Sequence, residues 1–575
     1  MLRRIFSYMK EYKKYAWLAL ICIGVEVVLE IMVPKLMADL IDIGVTNSDV
    51  PYIINKGIQM AVCAVAALIL GVGSARFSAL AGQGLGANIR KAEYEKLQSY
   101  SFSNIDHFSV SSLVTRLTSD VTNIQNAVST GMRPFGRSPV MLIFATTLAF
   151  KINSTLALVF LVALPVLAVL LIIIIINVGP RYGRMQGAVD LVNRCIEENL
   201  TAVRVVKSYV RGDYEIEKFG HVNDNLKNES EKAFGIAVLN MPAMQFVMYS
   251  TILGILLIGG RLINSGQMMI GQLTSFLSYV LLILNSLMMM SNVFLLMTRS
   301  LASAERIMKV IDEPIDITDE NAKDIEVKKC EIEFNHVWFK YKDTAKEYVL
   351  SDVSFHINAG QTVGIIGQTG SSKTTLIQLI PRLYDASKGE IKIDGISIKE
   401  YPVRHLRDAI SVVLQKNTLF SGSLIDNLRW GDENATLDEI KEACSIACVD
   451  EFIDRLPGGL DAEMGQEGVN VSGGQKQRIC IARAILKKPK VLILDDSTSA
   501  VDTATEGKIR NALAKKLPDM TKIIIAQRIS SVCHADQIII MDGGRVDAIG
   551  THESLLKTNK IYQEIYESQK EGADL

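Results

Sequence analysis

The chain has 575 residues, too many for one ordinary domain, and 49% of them are apolar. Its 61 lysines and arginines are balanced by 62 aspartates and glutamates, which argues against the basic footprint of a nucleic-acid binder, so no nucleic acid is expected as a partner. Eight cysteines and seven histidines are scattered without C-x-x-C or metal-ligand spacing, so neither a zinc site nor a disulfide framework is indicated.

At the N-terminus Leu2, Ile5, Phe6 and Met9 recur at helical spacing among Arg3, Arg4, Lys10, Lys13 and Lys14. No small-residue cleavage site follows, so an amphipathic helix lying in the membrane plane is expected rather than a targeting peptide. Six long apolar segments come next, near 15–41, 58–81, 131–150, 156–178, 238–260 and 270–297. Each approaches or exceeds the ~20 residues that cross a hydrocarbon core as a helix. The turns at 151–154 and 261–267 are short and carry one basic residue each. The long segments between them hold Arg90, Lys91, Lys96, Arg116 and Arg133, then Arg181, Arg184, Arg194, Arg204, Lys207, Arg211 and Lys218. The positive-inside rule puts these two segments and both termini in the cytoplasm of a multi-pass cell-membrane protein. Both segments continue the helical periodicity of their flanking spans, with turns expected near 103–110 and 203–209.

Two features of the spans are candidates for touching a substrate. Glu26 and Glu30 lie one turn apart inside the first span, where an ionisable group is either functional or paired within the bundle. Met244 in the fifth span and Met289 in the sixth belong to methionine-rich stretches, which suit either a promiscuous surface or ordinary packing.

Beyond the sixth span the composition becomes that of a soluble α/β domain. A transmembrane domain is expected over 1–312, a linker over 313–330 and a nucleotide-binding domain over 331–575. Strand-like runs at 361–366, 409–414, 491–494, 522–526 and 537–541 alternate with helical patterns. Gly367-Gln368-Thr369-Gly370-Ser371-Ser372-Lys373-Thr374 joins the first of these runs to a helix opening at Thr375. Such a turn cradles phosphates in backbone N–H groups, with Lys373 reaching the outer phosphates and Thr374 offering its hydroxyl to Mg²⁺. Ser372 stands where the strict pattern has glycine, so a serine-rich helix cap is the alternative on this octet alone.

Downstream, Val471-Ser472-Gly473-Gly474-Gln475-Lys476-Gln477-Arg478 resembles the signature motif of ABC ATPases. Val491-Leu492-Ile493-Leu494 followed by Asp495-Asp496 is similar to a Walker B. Ser499-Ala500-Val501-Asp502 resembles the D-loop, Gln415 the Q-loop glutamine, and Tyr341 the aromatic residue that stacks on adenine. With six spans ahead of these motifs, nearly the whole chain resembles an ABC exporter half-transporter: a helical membrane domain with long cytoplasmic extensions, then an α/β P-loop ATPase. The resemblance implies ATP and Mg²⁺ as cofactors. It places residues 367–375 on the phosphates, Asp495 with Thr374 and Gln415 on the metal, and Ser472, Gly473, Gly474 and Gln475 on nucleotide held by a second domain.

The chain departs from that pattern on the hydrolytic side. Asp496 stands where the family has a water-activating glutamate, and Gln527 where it has a histidine, in addition to Ser372. One methylene less at a general base costs on the order of 10²-fold through misplacement. The resemblance is therefore to the degenerate subunit of bacterial heterodimeric multidrug exporters. A non-identical half-transporter would be its partner, a small hydrophobic or amphipathic compound its cargo, and Asp496, Gln527 and Gln415 its catalytic set, the first two altered. A non-hydrolysing regulatory half, or an exporter of lipid or peptide, is the alternative.

Overall fold

A computed structural model describes residues 2–342, 344–496 and 501–571. The chain divides into two compact units, Met1–Leu97 with Ser111–Asp312, and Gln98–Val110 with Glu313–Leu575.

The first unit is helical. Six stretches are long and apolar enough to cross a membrane, carried by α1 (Lys13–Asp39), α2 (Val50–Gln98), α3 (Met132–Ile152), α4 (Ser154–Thr201), α5 (Asn240–Asn264) and α6 (Ile270–Ile311). Each coincides with an expected span. Helices α2, α4 and α6 run well past their apolar stretches: the 49 residues of α2 make a rod about 73 Å long at 1.5 Å per residue. The two expected turns contain short helices, Phe102–Asp106 and Val203–Ser208. The first forms because the Ser101 side chain and Asn104 cap each other's backbone N–H groups.

Inside the bundle Ile23, Val27 and Ile31 of α1 are buried with Met141 and Ala145 of α3 and Phe276, Val280 and Ile283 of α6. Pro34 interrupts α1 and removes one backbone donor. Side chains of α6 engage the carbonyls nearby: Tyr279 donates its hydroxyl to Ile31 O at 3.0 Å, and Ser275 donates to Pro34 O. Asp42 then accepts from two backbone N–H groups in the first turn of α6, Gly271 at 2.6 Å and Gln272 at 3.1 Å.

The second unit holds a four-stranded sheet, a six-stranded sheet and a short two-stranded ribbon. The first sheet comprises β1 (Ile332–Phe339), β2 (Leu350–Ile357), β4 (Lys388–Ile393) and β5 (Ile396–Ser397), all paired antiparallel. The second comprises β3 (Thr362–Gly367), β6 (Ile410–Val413), β7 (Val491–Asp495), β8 (Thr521–Ile525), β9 (Gln537–Asp542) and β10 (Arg545–Gly550), in the order β10-β9-β3-β8-β7-β6. Only the β9–β10 pair is antiparallel. Its central strands are buried throughout, as parallel strands covered on both faces must be. The five expected strands all belong to this sheet. The segment 98–110 packs with this unit although it precedes the third span. Asp106 accepts from the Tyr384 hydroxyl at 2.7 Å, and Asn104 donates to Pro314 O at 2.7 Å.

Replacing Asp42 with alanine leaves two first-turn N–H groups of α6 without their acceptor and removes a negative charge from a helix N-terminus. A loss of about 1–2 kcal/mol is expected, measured as a lower midpoint for thermal unfolding in lipid, with Asp42→Asn losing less.

Candidate functional site

Four neighbouring parallel strands present chemistry at their carboxyl ends. β3 leads into the loop 367–372, β6 to Gln415, β7 ends on Asp495, and β8 leads to Gln527. In open α/β sheets ligands bind in the crevice beyond these ends. The loop is shaped by two residues of positive φ, Gly370 at +87° and Ser372 at +69°. Ser372 thus adopts the left-handed conformation that glycine holds at low cost. Lys373 opens α7 (Lys373–Leu379) and folds back across the loop, with Nζ donating to Gly367 O at 2.8 Å, Gln368 O at 2.9 Å and Ser371 Oγ at 3.3 Å. Burial lowers its pKa, against the pull of Asp496 and Asp495.

Asp495 is 2% exposed. Its Oδ1 accepts from Thr374 Oγ1 at 3.2 Å. Its Oδ2 is buried without a hydrogen-bond partner among the described residues. Burial raises its pKa, and the Thr374 hydrogen bond only partly opposes this. A buried carboxylate with an unsatisfied oxygen beside a hydroxyl fits the all-oxygen preference of Mg²⁺, and a cation there would relieve both penalties. The residues present therefore fit the group.

Asp496 follows at φ +47°. Its Oδ2 accepts from Gln527 Nε2 at 2.7 Å and from Gln415 Nε2 at 3.5 Å. Burial raises its pKa while both amides oppose the rise. Gln415, expected at the metal, is thus directed to Asp496. The structure joins Asp496, Gln527 and Gln415 in one group and Lys373, Thr374 and Asp495 in another beside it.

Tyr341 donates to or accepts from Thr375 Oγ1 at 2.9 Å, and its ring meets Phe339 and Tyr384 edge-on at 4.9 and 5.2 Å. The expected adenine platform is therefore tied to the helix behind the phosphate loop. Ser472 caps α8 (Gly473–Leu486), with mutual hydrogen bonds to Gln475. Ser472 and Gly473 are exposed, and α8 belongs to a core cluster separate from that of the phosphate loop. Ser499 and Ala500 of the D-loop lie outside the described residues. Asp502 caps α9 (Thr503–Lys516) by accepting from Thr505 N at 3.0 Å. Sequence reasoning missed Gln569, whose amide holds the backbone at Gln527 and Ile529. No local motif marks it.

In the membrane unit Glu26 and Glu30 are both ion-paired. Arg133 lies 2.5 Å from Glu26, and Arg137 lies 3.5 Å from Glu26 and 2.6 Å from Glu30. Arg133, grouped by sequence with a basic cytoplasmic segment, sits in α3 and reaches this pair. Gly71 of α2 makes the approach possible, because a Cβ there would lie 3.1 Å from Arg133 and 3.2 Å from Glu26. The four charges border a cleft of about 760 Å³ that also meets Leu68 and Val72. Met289 borders a neighbouring cleft with Arg133 and Arg137. Met244 is buried in the bundle core.

Two outcomes follow from this geometry. Ser372→Gly should stabilise the C-terminal unit by about 0.5–1 kcal/mol, the left-handed strain relieved less the entropy that glycine adds to the unfolded chain, read by thermal unfolding. Glu26→Gln and Arg133→Gln should each destabilise the bundle by roughly 1–3 kcal/mol, while the double change costs clearly less than their sum. Additive losses in unfolding measurements would mean that the two side chains do not act as a pair.

Residues 16–287 match the family described as ABC transporter transmembrane region, and residues 350–499 match the ABC transporter family. The chain is 37% identical over 575 residues to the uncharacterized ABC transporter ATP-binding protein YfiB of Bacillus subtilis, covering 100% of both chains. It is 32% identical over 576 residues to an ATP-dependent lipid A-core flippase of Pseudomonas putida, covering 98% of this chain and 95% of that one. Its fold matches a bacterial Atm1-family ABC exporter solved with ATP bound, at a TM-score of 0.83 and 22% identity, over 97% of this chain and 99% of the other. Together with the strand-end site and six apolar helices, these matches show that the chain belongs to the ABC transporter family, as an exporter half with its membrane and ATP-binding regions fused.

Proposed function

We propose that this ATP-driven exporter half works beside a non-identical half-transporter, with its own nucleotide site retaining ATP and Mg²⁺ while hydrolysis occurs mainly at the partner's site. Lys373, Thr374, Thr375 and the backbone of 367–372 bind the phosphates, Tyr341 the adenine, and Asp495 with Thr374 the metal. Ser472, Gly473, Gly474 and Gln475, at a helix start whose first two residues are exposed, close over nucleotide bound by the partner.

One observation carries the reading. Asp496, at the water-activating position, has its Oδ2 engaged by the Gln527 amide at 2.7 Å. A carboxylate oxygen holding an amide donor is a poorer proton acceptor, and glutamine cannot take up an imidazole's charge. Binding groups are kept and water-activating groups are not. When bound, Mg²⁺ would neutralise charge on the phosphates. The protein's own contribution at this site is to orient and hold.

The cargo is a small amphipathic compound. Similarity to a relative named as a lipid A-core flippase favours lipid as the second reading. In either case the charge-balanced cleft at Glu26, Glu30, Arg133 and Arg137 offers polar partners within an apolar wall.

The chain purified alone in lipid should turn over ATP far below the usual ~1–10³ s⁻¹ of enzymes. In the assembled pair, Ser472→Ala or Gly473→Glu should abolish turnover, whereas Asp496→Asn should change it little. Fast hydrolysis by the single chain, or equal losses from the signature and Asp496 changes, would refute the division of labour.

A further inference from the structure

The C-terminal helix α10 (Lys560–Glu571) reaches the nucleotide site through one side chain. Gln569 Nε2 donates to Gln527 O at 2.7 Å, and Gln569 Oε1 accepts from Ile529 N–H at 2.8 Å. The two bonds straddle Arg528, so one amide fixes the backbone on both sides of the turn leaving β8. Gln527 in turn places its own amide on Asp496 at 2.7 Å. The helix is a firm base for this contact. Tyr562 is fully buried, its hydroxyl meets His552 Nδ1 at 2.7 Å, and it shares a core with Ile366, Ala526, Ile529 and Val532. That core contains residues from β3 just before the phosphate loop and from the turn that carries Gln527.

We propose that Gln569 is a positioning residue, holding the 526–529 backbone so that the Gln527 amide stays on Asp496, and that α10 thereby governs how long nucleotide is retained at this site. The proposal rests on the reading of the site as nucleotide-retaining. Its reasoning is geometric. Gln527 is exposed, and an exposed glutamine has several rotamers to choose from, so the entropy of holding one pose falls when its backbone is already fixed. Both backbone groups find their partner about forty residues along the chain, in one amide whose donor and acceptor match them. A bond that merely satisfied the loop backbone would have no effect on nucleotide, which gives the test its discriminating readout.

The full chain in lipid nanodiscs would be compared with Gln569→Ala and Gln569→Glu by two measurements: amide hydrogen exchange over 526–532, and release of a fluorescent ATP analogue loaded with Mg²⁺. In Gln569→Ala both exchange at Ile529 and release should quicken about tenfold, the scale expected for losing one to two hydrogen bonds. Gln569→Glu keeps the acceptor for Ile529 N–H but loses the donor to Gln527 O. It should therefore preserve protection at Ile529 while still releasing nucleotide faster than the unchanged chain. Unaltered exchange in Gln569→Ala would overturn the clamp. Faster exchange with unaltered release would overturn the positioning role. An unchanged chain that holds no nucleotide would instead sink the reading of the site itself, and the proposal with it.

Discussion

A buried carboxylate oxygen without a hydrogen bond costs on the order of 1–3 kcal/mol, and among the described residues Asp495 has no partner for one at the carboxyl end of β7. The sheet is arranged around that cost. β7 is flanked by β8 and β6 in parallel, so the carboxylate emerges at the same edge as Gln527 and Gln415, one strand away from the phosphate loop. Its other oxygen meets Thr374, the residue after the lysine that folds over the loop. Left alone, burial would push the carboxyl toward protonation. A divalent cation there would remove that pressure.

The same physics operates in the membrane unit with a different solution. Glu26 is as deeply buried as Asp495, but its charge is met by guanidinium groups of α3 instead of being left open. An isolated carboxylate at that depth would be expensive. Pairing across helices turns the expense into a constraint on how α1, α2 and α3 fit together, since Arg133 and Glu26 both pass close to Gly71 of α2. The two acidic sites thus differ in what completes them. One is completed by the fold, the other by a ligand.

How much of this was legible in the sequence depends on how local each signal was. The spans were legible because a run of about twenty apolar residues rarely folds as anything but a membrane-crossing helix. Parallel strands such as β7 were legible as unbroken apolar runs, whereas the antiparallel sheet was not resolved: β2 alternates buried and exposed positions and resembles many loop-flanking segments. The phosphate loop was found from its spacing despite Ser372, and the structure puts that serine at positive φ, which is the demand that the usual glycine meets. Contacts between distant residues were invisible. Arg133 lies 107 residues from Glu26, and Gln569 lies 42 from Gln527. A glutamine near a chain's end carries no pattern that announces a partner.

Asp496 and Gln527 are best understood together. Each alone removes one feature of a hydrolytic site, but the structure shows them in contact at 2.7 Å. Aspartate is one methylene shorter than glutamate, and a glutamine has the length and the donor to reach it. Asp496 holds a left-handed backbone, which aspartate visits more readily than most L-residues but which is here held in place. The constraint is visible: its N–H donates to Ile525 O at 3.0 Å, and its side chain accepts from amides leaving two different strands. The two departures therefore form one hydrogen-bonded pair, and it is on this pair that the proposed reading of retention over turnover rests.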